Sequence, residues 1–520
     1  MTMRRWRDRR TIRKVAFIVV LCSLVVVSLV SGTGEFGRQI PVAHAASLSQ
    51  LHTSGRYIEN ASGAKVKLVG VNRFSLEFLC SGDGHFTSSD FSAMASVWHV
   101  NLVRIPLSEV FWLNEGGPNC LGSQYQTTVA NAVSAAEAAG LYVELELHRV
   151  EPFLNQSCAS AETVSGGAEY NLPDSASASF WQQVAKAYAS NTGVLFGLYN
   201  EPNSLPLGSP GWQIWQQGGT VTSPSNVNQV ACTNMTYTAV GMNPLIANDI
   251  HPNAPNVPVI ASGAFEFASR VDCVQPEVDN NGCGSQSFAL SGQASVIYNV
   301  HAYSDSDKLP AHFNDNFGYT ANIYPVIADE FGESNNHGAA PECPYVYDVM
   351  RYFDSLDTGY AAWVWTTDTG QLQALLSNWN GTASSYGLPI QDYFLGTPQS
   401  SCLAADKKPT ITWTGGESVT PTNPGVGAEI TMDVNFQASN DHAVYVGYKI
   451  TDKTTSTVCT TPHWNDLYTT TTSQTFQRKH LLKESCFVSG HTYTVQFIVK
   501  QPNNGTLIST DPTTVSFTVS

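Results

Sequence analysis

The stretch Val194-Leu195-Phe196-Gly197-Leu198-Tyr199-Asn200-Glu201-Pro202-Asn203 indicates the architecture of this chain. It opens as a short apolar run with the length of a fully buried β-strand. Pro202 ends strand pairing just past the glutamate, because proline has no backbone N–H to donate. The pattern predicts an asparagine and a glutamate at the carboxyl end of a buried strand. Taken alone, the stretch is equally compatible with a solvated turn.

Seven further apolar runs alternate with helical patterns or long loops. They occupy residues 67–72, 101–106, 141–148, 257–261, 295–302, 324–329 and 360–365. Helical patterns cover 88–99, 125–139, 174–190 and 344–356, and 227–250 is rich in helical signals. Eight short strands with this spacing predict a parallel (β/α)8 TIM barrel, in an α/β fold class. A doubly wound open sheet is the alternative, but no glycine-rich phosphate loop opens a helix.

The composition changes after residue 406, where Thr, Val, Ser and Asn dominate and helical periodicity ends. Alternating apolar residues predict a smaller all-β sandwich of immunoglobulin or fibronectin type. We expect a barrel over 46–403, a linker over 404–410 and the sandwich over 411–520. The sandwich either binds carbohydrate, through Trp413, Trp464 and Tyr468, or acts as a spacer, which we favour slightly.

The first 45 residues have the features of an export signal. A basic start precedes an apolar run over 15–30, and Ala43-His44-Ala45 matches a small-residue cleavage site. Cleavage there predicts a secreted protein without a membrane anchor. A retained anchor is the alternative, although the apolar run is short for a spanning helix.

Charge and cysteine content restrict the partners and the compartment. The chain carries a net charge of −16, which argues against nucleic acid and anionic membranes as partners. A neutral polymer is not repelled. There are 11 cysteines, of which Cys22 lies in the signal, so the other ten predict disulfides outside the cell. Proximity in sequence favours the pairs Cys273 with Cys283 and Cys459 with Cys486.

A second glutamate, Glu330, follows the seventh predicted strand in Asp329-Glu330-Phe331-Gly332. It is therefore expected at the same end of the barrel as Glu201, which is where catalytic groups of TIM barrels lie. Retaining glycoside hydrolysis needs two carboxyl groups roughly 5–5.5 Å apart. Other strand ends carry polar or aromatic groups too: Arg104, His148, His301, Tyr303, Trp363 and Trp365. Each of these has a structural explanation by itself, but together they favour a catalytic site.

Several stretches resemble family 5 glycoside hydrolases, which are retaining (β/α)8 enzymes. The matching stretches are Asn101-Leu102-Val103-Arg104-Ile105-Pro106, Glu146-Leu147-His148, Tyr199-Asn200-Glu201-Pro202, Val300-His301-Ala302-Tyr303 and Ile327-Ala328-Asp329-Glu330-Phe331-Gly332. The resemblance covers roughly residues 50–400.

The resemblance implies a role for each matching residue. Glu201 is expected to be the general acid/base and Glu330 the nucleophile. The substrate-binding residues are expected to be Arg104, His148, Asn200, His301, Tyr303 and Trp365. Trp365 is preferred to Trp363 as the aromatic floor under the sugar, because Trp365-Thr366-Thr367-Asp368 better resembles the family pattern. No metal or cofactor is expected.

The expected activity is that of a secreted, monomeric endo-β-1,4-glucanase that cleaves a cellulose-type polysaccharide or oligosaccharide. β-Mannan is the alternative substrate, followed by xyloglucan or β-1,3-glucan. Aromatic residues in the loops are candidate sugar contacts: Trp112, Phe153, Trp212 and Trp215. Alternatives from other classes are a non-catalytic carbohydrate-binding protein on the same barrel and a surface adhesion protein. The presence of both glutamates argues against the former.

Overall fold

The computed structural model describes residues 48–150, 172–203, 205–206, 208–222, 236–265, 267–275, 283, 286–291, 295–304, 313–333, 343–368, 370, 373–397, 409–439, 442–459, 464–469, 473–500 and 507–520. The expected export signal at 1–45 and most of the expected linker lie outside these residues. Within the described parts of the chain, no helix is both long and apolar enough to cross a bilayer.

The first part of the chain forms a closed parallel barrel. Twelve strands lie in this part of the described chain, and eight of them form the barrel. In chain order they are β1 (Leu51–Ser54), β2 (Tyr57–Asn60), β3 (Val69–Asn72), β4 (Leu102–Ser108), β5 (Tyr142–Arg149), β6 (Val194–Gly197), β7 (Gly218–Thr222), β8 (Thr236–Val240), β9 (Val259–Ser262), β10 (Val296–Tyr303), β11 (Val326–Gly332) and β12 (Tyr360–Ala362). The hydrogen-bonded order β10-β11-β12-β3-β4-β5-β6-β9 closes on itself, with parallel pairing throughout. The predicted (β/α)8 barrel is confirmed, and each of its strands overlaps a predicted run.

Helices surround the barrel between its strands. They are α1 (Ser88–Val97), α2 (Glu109–Trp112), α3 (Gly122–Ala138), α4 (Ser175–Tyr188), α5 (Ser209–Gln217), α6 (Met242–Pro244), α7 (Tyr319–Ala321), α8 (Cys343–Ser355) and α9 (Gly387–Phe394). Short 3-10 and π-helical turns lie at Asp272–Val274, Leu245–Ile250 and Asn314–Gly318. Asp174 caps α4 by accepting from the N–H groups of Ala176 and Ser177, which fixes where this helix begins.

Two hairpins were not predicted. Strand β8 pairs with β7 and lies within 227–250, which was expected to be helix-rich. The alternation Thr236-Tyr237-Thr238-Ala239-Val240 suits a strand instead. Strands β1 and β2 pair before the barrel begins. Leu51 and Ile58 of this hairpin pack against the first residues of the barrel strands, so the hairpin closes the amino-terminal end of the barrel. The opposite, carboxyl end carries the polar side chains.

The last part of the chain folds into two antiparallel sheets. Its strands are β13 (Ile411–Thr420), β14 (Glu429–Ala438), β15 (His442–Asp452), β16 (Trp464–Thr469), β17 (Gln474–Leu481), β18 (Thr492–Lys500), β19 (Leu507–Thr510) and β20 (Val515–Thr518). One sheet has the order β13-β14-β17, and the other β16-β15-β18-β19 with β20 also on β18. Alternate residues of β14 are buried in the core between them, as the pattern predicts. The predicted sandwich is confirmed.

Three disulfide bonds link cysteines within the described residues. The pairs Cys273–Cys283 and Cys459–Cys486 were predicted and are confirmed, and Cys80–Cys120 is a third. The first two close short loops, which removes conformational freedom from the unfolded chain. Cys158, Cys232 and Cys402 lie outside the described residues.

The sandwich contacts the barrel on the side of α7. Strand β16 runs beside the π-helical turn Asn314–Gly318. The guanidinium of Arg478 on β17 lies 4.4 Å from the ring centroid of Tyr319, and both side chains are buried. This cation–π contact joins the two domains.

We expect Arg478→Ala to lower the free energy of unfolding by about 1 kcal/mol or more, because a desolvated cation–π contact is lost. Calorimetry with chemical denaturation measures this. Lys479→Ala is the matched control: its partner Glu429 is 2.9 Å away and both are partly exposed, so the loss should be small. Equal effects of the two variants would contradict an interdomain role for Arg478.

Candidate active site

Arg104 on β4 is the centre of the polar cluster at the carboxyl end of the barrel. Its side chain is fully buried. One terminal nitrogen donates to Asn72 at 2.9 Å and to Glu330 at 2.6 Å, and the other donates to Asn200 at 2.7 Å. Because a buried guanidinium cannot lose its proton, it places a permanent positive charge beside Glu330.

Glu330 is held by two donors, one on each carboxylate oxygen. Arg104 donates to Oε1, and the Tyr303 hydroxyl donates to Oε2 at 2.8 Å. Burial, then the charges of Glu330 and Glu201, raise the pKa of Tyr303 well above its ordinary value, so it remains a donor. The carboxylate of Glu330 is thereby oriented, and its negative charge is balanced.

Glu201 follows β6 and has different surroundings. Its side chain is partly exposed, at 16%, and its Oε1 lies 2.7 Å from Nδ1 of His301. The same Nδ1 lies 3.4 Å from Oε2 of Glu330. His301 thus contacts both glutamates but lies closer to Glu201, whereas Glu330 is also held by the fixed charge of Arg104 and by Tyr303. Two carboxyl groups in unlike environments suit an acid and a nucleophile.

The two glutamates are close. Oxygens of Glu201 and Glu330 and Nδ1 of His301 all lie within 4.8 Å of one another. This separation fits the roughly 5–5.5 Å of retaining glycosidases and is shorter than the roughly 6.5–9.5 Å of inverting ones. Atoms at this spacing are also compatible with a cation. Here both glutamates contact His301, and Glu330 also accepts from Arg104 and Tyr303.

His148 and Asn200 extend the site along β5 and β6. His148 is nearly buried, with Nδ1 3.1 Å from Oε2 of Glu146 and Nε2 3.5 Å from the amide nitrogen of Asn200. Arg104 holds the amide oxygen of Asn200, which fixes the orientation of the amide group. The structure therefore brings together seven of the eight residues that the sequence analysis placed at the site.

The eighth residue, Trp365, lies elsewhere, and its expected role as a sugar floor is wrong. It is fully buried, its indole N–H donates to Asp90 at 2.8 Å, and its ring packs edge-on against Trp98. A ring without exposed surface cannot stack on a sugar. Its neighbour Trp363 is only partly buried.

Trp363 occupies the position expected of an aromatic floor. Its ring is nearly parallel to the imidazole of His148, with centroids 6.4 Å apart, and lies 6.3 Å from the ring of Phe74. It therefore borders the polar cluster and is only partly buried. The loop tryptophans that were candidate sugar contacts are instead buried in the core: Trp112, Trp212 and Trp215. Phe153 lies outside the described residues.

We expect Trp363→Ala to raise KM for oligosaccharides roughly 5- to 10-fold, because an aromatic stacking face is lost. Steady-state kinetics measure this. Trp365→Phe should leave KM nearly unchanged but lower stability by about 1–3 kcal/mol, since Asp90 loses a buried hydrogen bond. A larger KM effect from Trp365→Phe would reverse the assignment.

Sequence reasoning missed three buried acids near Arg104. Glu146 and Asp329 lie 3.2 Å and 3.5 Å from its nitrogens, and Glu144 lies at 3.8 Å. Two glutamates between the apolar residues of 142–147 were a usable signal, because charged residues are almost never fully buried without a partner. Asp329 gave no such signal, since strand alternation predicts that it faces away from Glu330.

Comparison with known proteins supports the assignment of the fold. The sequence model described as Cellulase (glycosyl hydrolase family 5) matches residues 59–369, which is more than half of the chain. An endoglucanase of Paenibacillus polymyxa is 23% identical over 390 residues, covering 68% of this chain and 91% of that protein. The match to the endoglucanase MaCel5A of Microbulbifer is 24% identical and covers 30% of this chain, but only 26% of that longer protein.

Among solved structures, a β-glucanase from Saccharophagus degradans shares the barrel. It superposes with a TM-score of 0.50 at 19% identity, over 68% of this chain and 95% of the other. At that identity the likeness concerns the fold. The family match, however, spans the barrel, including both glutamates. The chain belongs to glycosyl hydrolase family 5, the cellulase family.

Proposed function

We propose that this protein is a secreted retaining endo-β-1,4-glucanase that acts on cellulose-type glucans by double displacement. The observation that carries the proposal is the pair of glutamates with oxygens within 4.8 Å and unlike partners. The relatives named above are endoglucanases and a β-glucanase, and one structure of this β-glucanase contains cellotetraose. These relatives support the substrate class.

In the first step, an oxygen of Glu330 attacks the anomeric carbon as the glycosidic C–O bond breaks. Glu201 gives its proton to the departing oxygen, so the leaving sugar departs as a neutral alcohol. Arg104 and Tyr303 orient the nucleophile. Asn200 is placed to bind the 2-hydroxyl of the sugar, a contact that strengthens as the transition state forms.

In the second step, water attacks the same carbon from the face that the leaving group vacated. Glu201 accepts a proton from this water, and the bond to Glu330 breaks. The configuration at the anomeric carbon is inverted twice and therefore retained. Glu201, which is partly exposed, can be reached by the incoming water.

A panel of soluble polysaccharides tests the proposal. We expect reducing ends to form fastest on carboxymethylcellulose, with a rapid fall in viscosity and mixed oligosaccharide products from internal cleavage. Faster turnover of β-mannan, xyloglucan or β-1,3-glucan would show that this polysaccharide, and not a cellulose-type glucan, is the preferred substrate. Binding of cello-oligosaccharides without turnover of any polymer would instead indicate the non-catalytic carbohydrate-binding alternative.

The domain assignment is also part of the proposal. It divides the chain into the export signal (1–45), the barrel (46–403), a linker (404–410) and the sandwich (411–520). The contact of Arg478 with Tyr319 favours a sandwich docked as a spacer. Trp413, a candidate sugar contact, is half-buried against Phe436 and donates to Ser509. Monomeric state and cleavage after Ala45 are testable on the secreted product by light scattering and N-terminal sequencing.

A further inference from the structure

We propose that Asp329 is a positioning residue for the acid/base glutamate and acts on Glu201 through His301. The inference rests on the proposed function of Glu201. It gives a role to the buried acid Asp329, which takes no part in the two displacement steps of the proposed mechanism.

The geometry forms a continuous line from the barrel interior to the acid/base. Oδ1 of Asp329 lies 3.0 Å from Nε2 of His301, and Nδ1 of the same ring lies 2.7 Å from Oε1 of Glu201. The imidazole is fully buried, whereas Glu201 is partly exposed. A histidine fixed at one nitrogen by a carboxylate presents its other nitrogen in a defined state and direction. Asp329 therefore influences the orientation and the protonation of the His301 nitrogen that contacts Glu201.

The position of Asp329 requires a local irregularity in β11. Successive side chains of a regular strand point to opposite faces. Asp329 and Glu330 are adjacent, yet both lie near Arg104 and His301. The pairing of β11 shifts register against β10 between Asn299 and His301, and against β12 between Ala328 and Phe331. Such a shift redirects a side chain, and here it turns two consecutive carboxylates toward one site.

Glu144 on β5 and Asp329 both lie near Nε of Arg104, at 3.8 Å and 3.5 Å. Burial, reinforced by the charge of Asp329, raises the pKa of Glu144 well above its ordinary value, which favours its protonated form. Gly197 on β6 makes room for it: a Cβ there would lie 2.6 Å from Oε1 of Glu144. Burial opposes ionisation of Asp329, but Arg104 and His301 lower its pKa below the usual range. Asp329 is thus the charged member of the pair.

The charge of Asp329 acts on the proton that His301 and Glu201 share. The groups facing His301 are Glu201 beyond β6, Asp329 and Glu330 on β11, and Tyr303 on its own strand. Burial alone would lower the pKa of His301, but Glu330 and the hydrogen bonds to Asp329 and Glu201 raise it to about 10. His301 therefore retains its proton at neutral pH. The imidazolium can pass this proton through Glu201 to the departing oxygen.

Activity should fall as the pH rises. The pair of His301 and Glu201 loses its last proton as the pH rises through the raised pKa of His301, and with it the ability to protonate a leaving group. Asp329→Asn removes a negative charge at 3.0 Å, so the proton is held less firmly. Asp329 also faces Arg104, whose raised pKa keeps it charged throughout this range, and lies in the same cluster as Glu144, whose pKa is raised by burial. The alkaline limb of kcat/KM should move down by about 1–3 pH units.

The test measures hydrolysis of cellotetraose and of a dinitrophenyl cellobioside by full-length Asp329→Asn between pH 4 and 11. Each sample is returned to pH 7 and assayed again to exclude denaturation. We expect a larger loss on cellotetraose than on the activated glycoside, because only cellotetraose needs the proton. Equal losses on both substrates, with an unmoved alkaline limb, would mean a purely structural role and overturn the proposal.

Two further variants separate charge from packing. Glu144→Gln keeps the shape of a protonated Glu144 and should therefore move the alkaline limb less than Asp329→Asn does; an equal shift would contradict the assigned protonation. Asp90→Asn is the matched control, because Asp90 is also buried and paired with an arginine, Arg73 at 2.9 Å. It should lower thermal stability without moving the alkaline limb.

A readout without turnover distinguishes failure of this inference from failure of the proposed function. The imidazole NMR signal of His301, assigned with His301→Gln, should stay protonated to higher pH in the parent than in Asp329→Asn. This difference in a protein inactive on every glycan would refute the proposed function and leave the positioning role standing. Identical titrations in an active enzyme would refute the positioning role alone.

Discussion

Glu330→Gln is expected to reduce kcat/KM on every substrate by on the order of 10⁴-fold or more, as when a nucleophile is removed from other covalent catalysts. Glutamine keeps the shape and can still contact Arg104 and Tyr303, so the protein should fold normally. It lacks the attacking charge, so no glycosyl-enzyme forms. Activated aryl glycosides should not rescue this variant, because leaving-group departure is not what it lacks.

The measurement is single-turnover kinetics with mass spectrometry of the intact protein. A slow substrate such as a 2-fluoro cellobioside with a dinitrophenyl leaving group should label the parent at Glu330 and leave Glu330→Gln unlabelled. Glu333→Gln is the matched control, since Glu333 is a buried acid on the same segment whose N–H donates to Tyr386. Glu333→Gln should label and turn over like the parent. Labelling of Glu330→Gln would show that another residue is the nucleophile.

Glu201→Ala is expected to lower the rate of cellotetraose hydrolysis by about 10²- to 10⁴-fold, the range for a general acid/base. On dinitrophenyl cellobioside the first step should be nearly intact, because that leaving group barely needs a proton. The glycosyl-enzyme should then accumulate, since water lacks its base, and a burst of dinitrophenol should precede slow turnover.

Azide distinguishes the two glutamates in the same assay. With Glu201→Ala it should intercept the glycosyl-enzyme without base help and give the β-glycosyl azide. With Glu330→Ala it should enter from the vacated nucleophile side and give the α-glycosyl azide. Product NMR identifies each anomer. The assigned roles would be incorrect if the two variants gave the same anomer of the azide. They would also be incorrect if Glu201→Ala lowered the rates on cellotetraose and on dinitrophenyl cellobioside by the same factor.

The barrel and much of its site were predictable because they depend on local patterns. Short apolar runs ending in polar residues place those residues at one end of a parallel barrel, whatever the loops do. Arg104, Glu201, His301 and Glu330 were found in this way, and the structure brings them into contact.

The remaining features depend on where regular strand geometry stops. Period-two alternation placed Trp363 and Trp365 on one face, but β12 ends at Ala362, so the alternation no longer applies beyond it. The same rule separated Asp329 from Glu330, which the register shifts of β11 bring together. A residue pattern does not show a shifted pairing or an early strand end, because both depend on contacts with distant strands.

The stereochemistry of the first product tests the central claim most directly. Hydrolysis of cellotetraose is followed by proton NMR from the first seconds, before the sugar anomers equilibrate. Two displacements, at Glu330 and then at water, predict that the newly formed reducing end appears first as the β-anomer and converts slowly to α. Initial appearance of the α-anomer would contradict a covalent intermediate on Glu330 and the roles assigned to both glutamates.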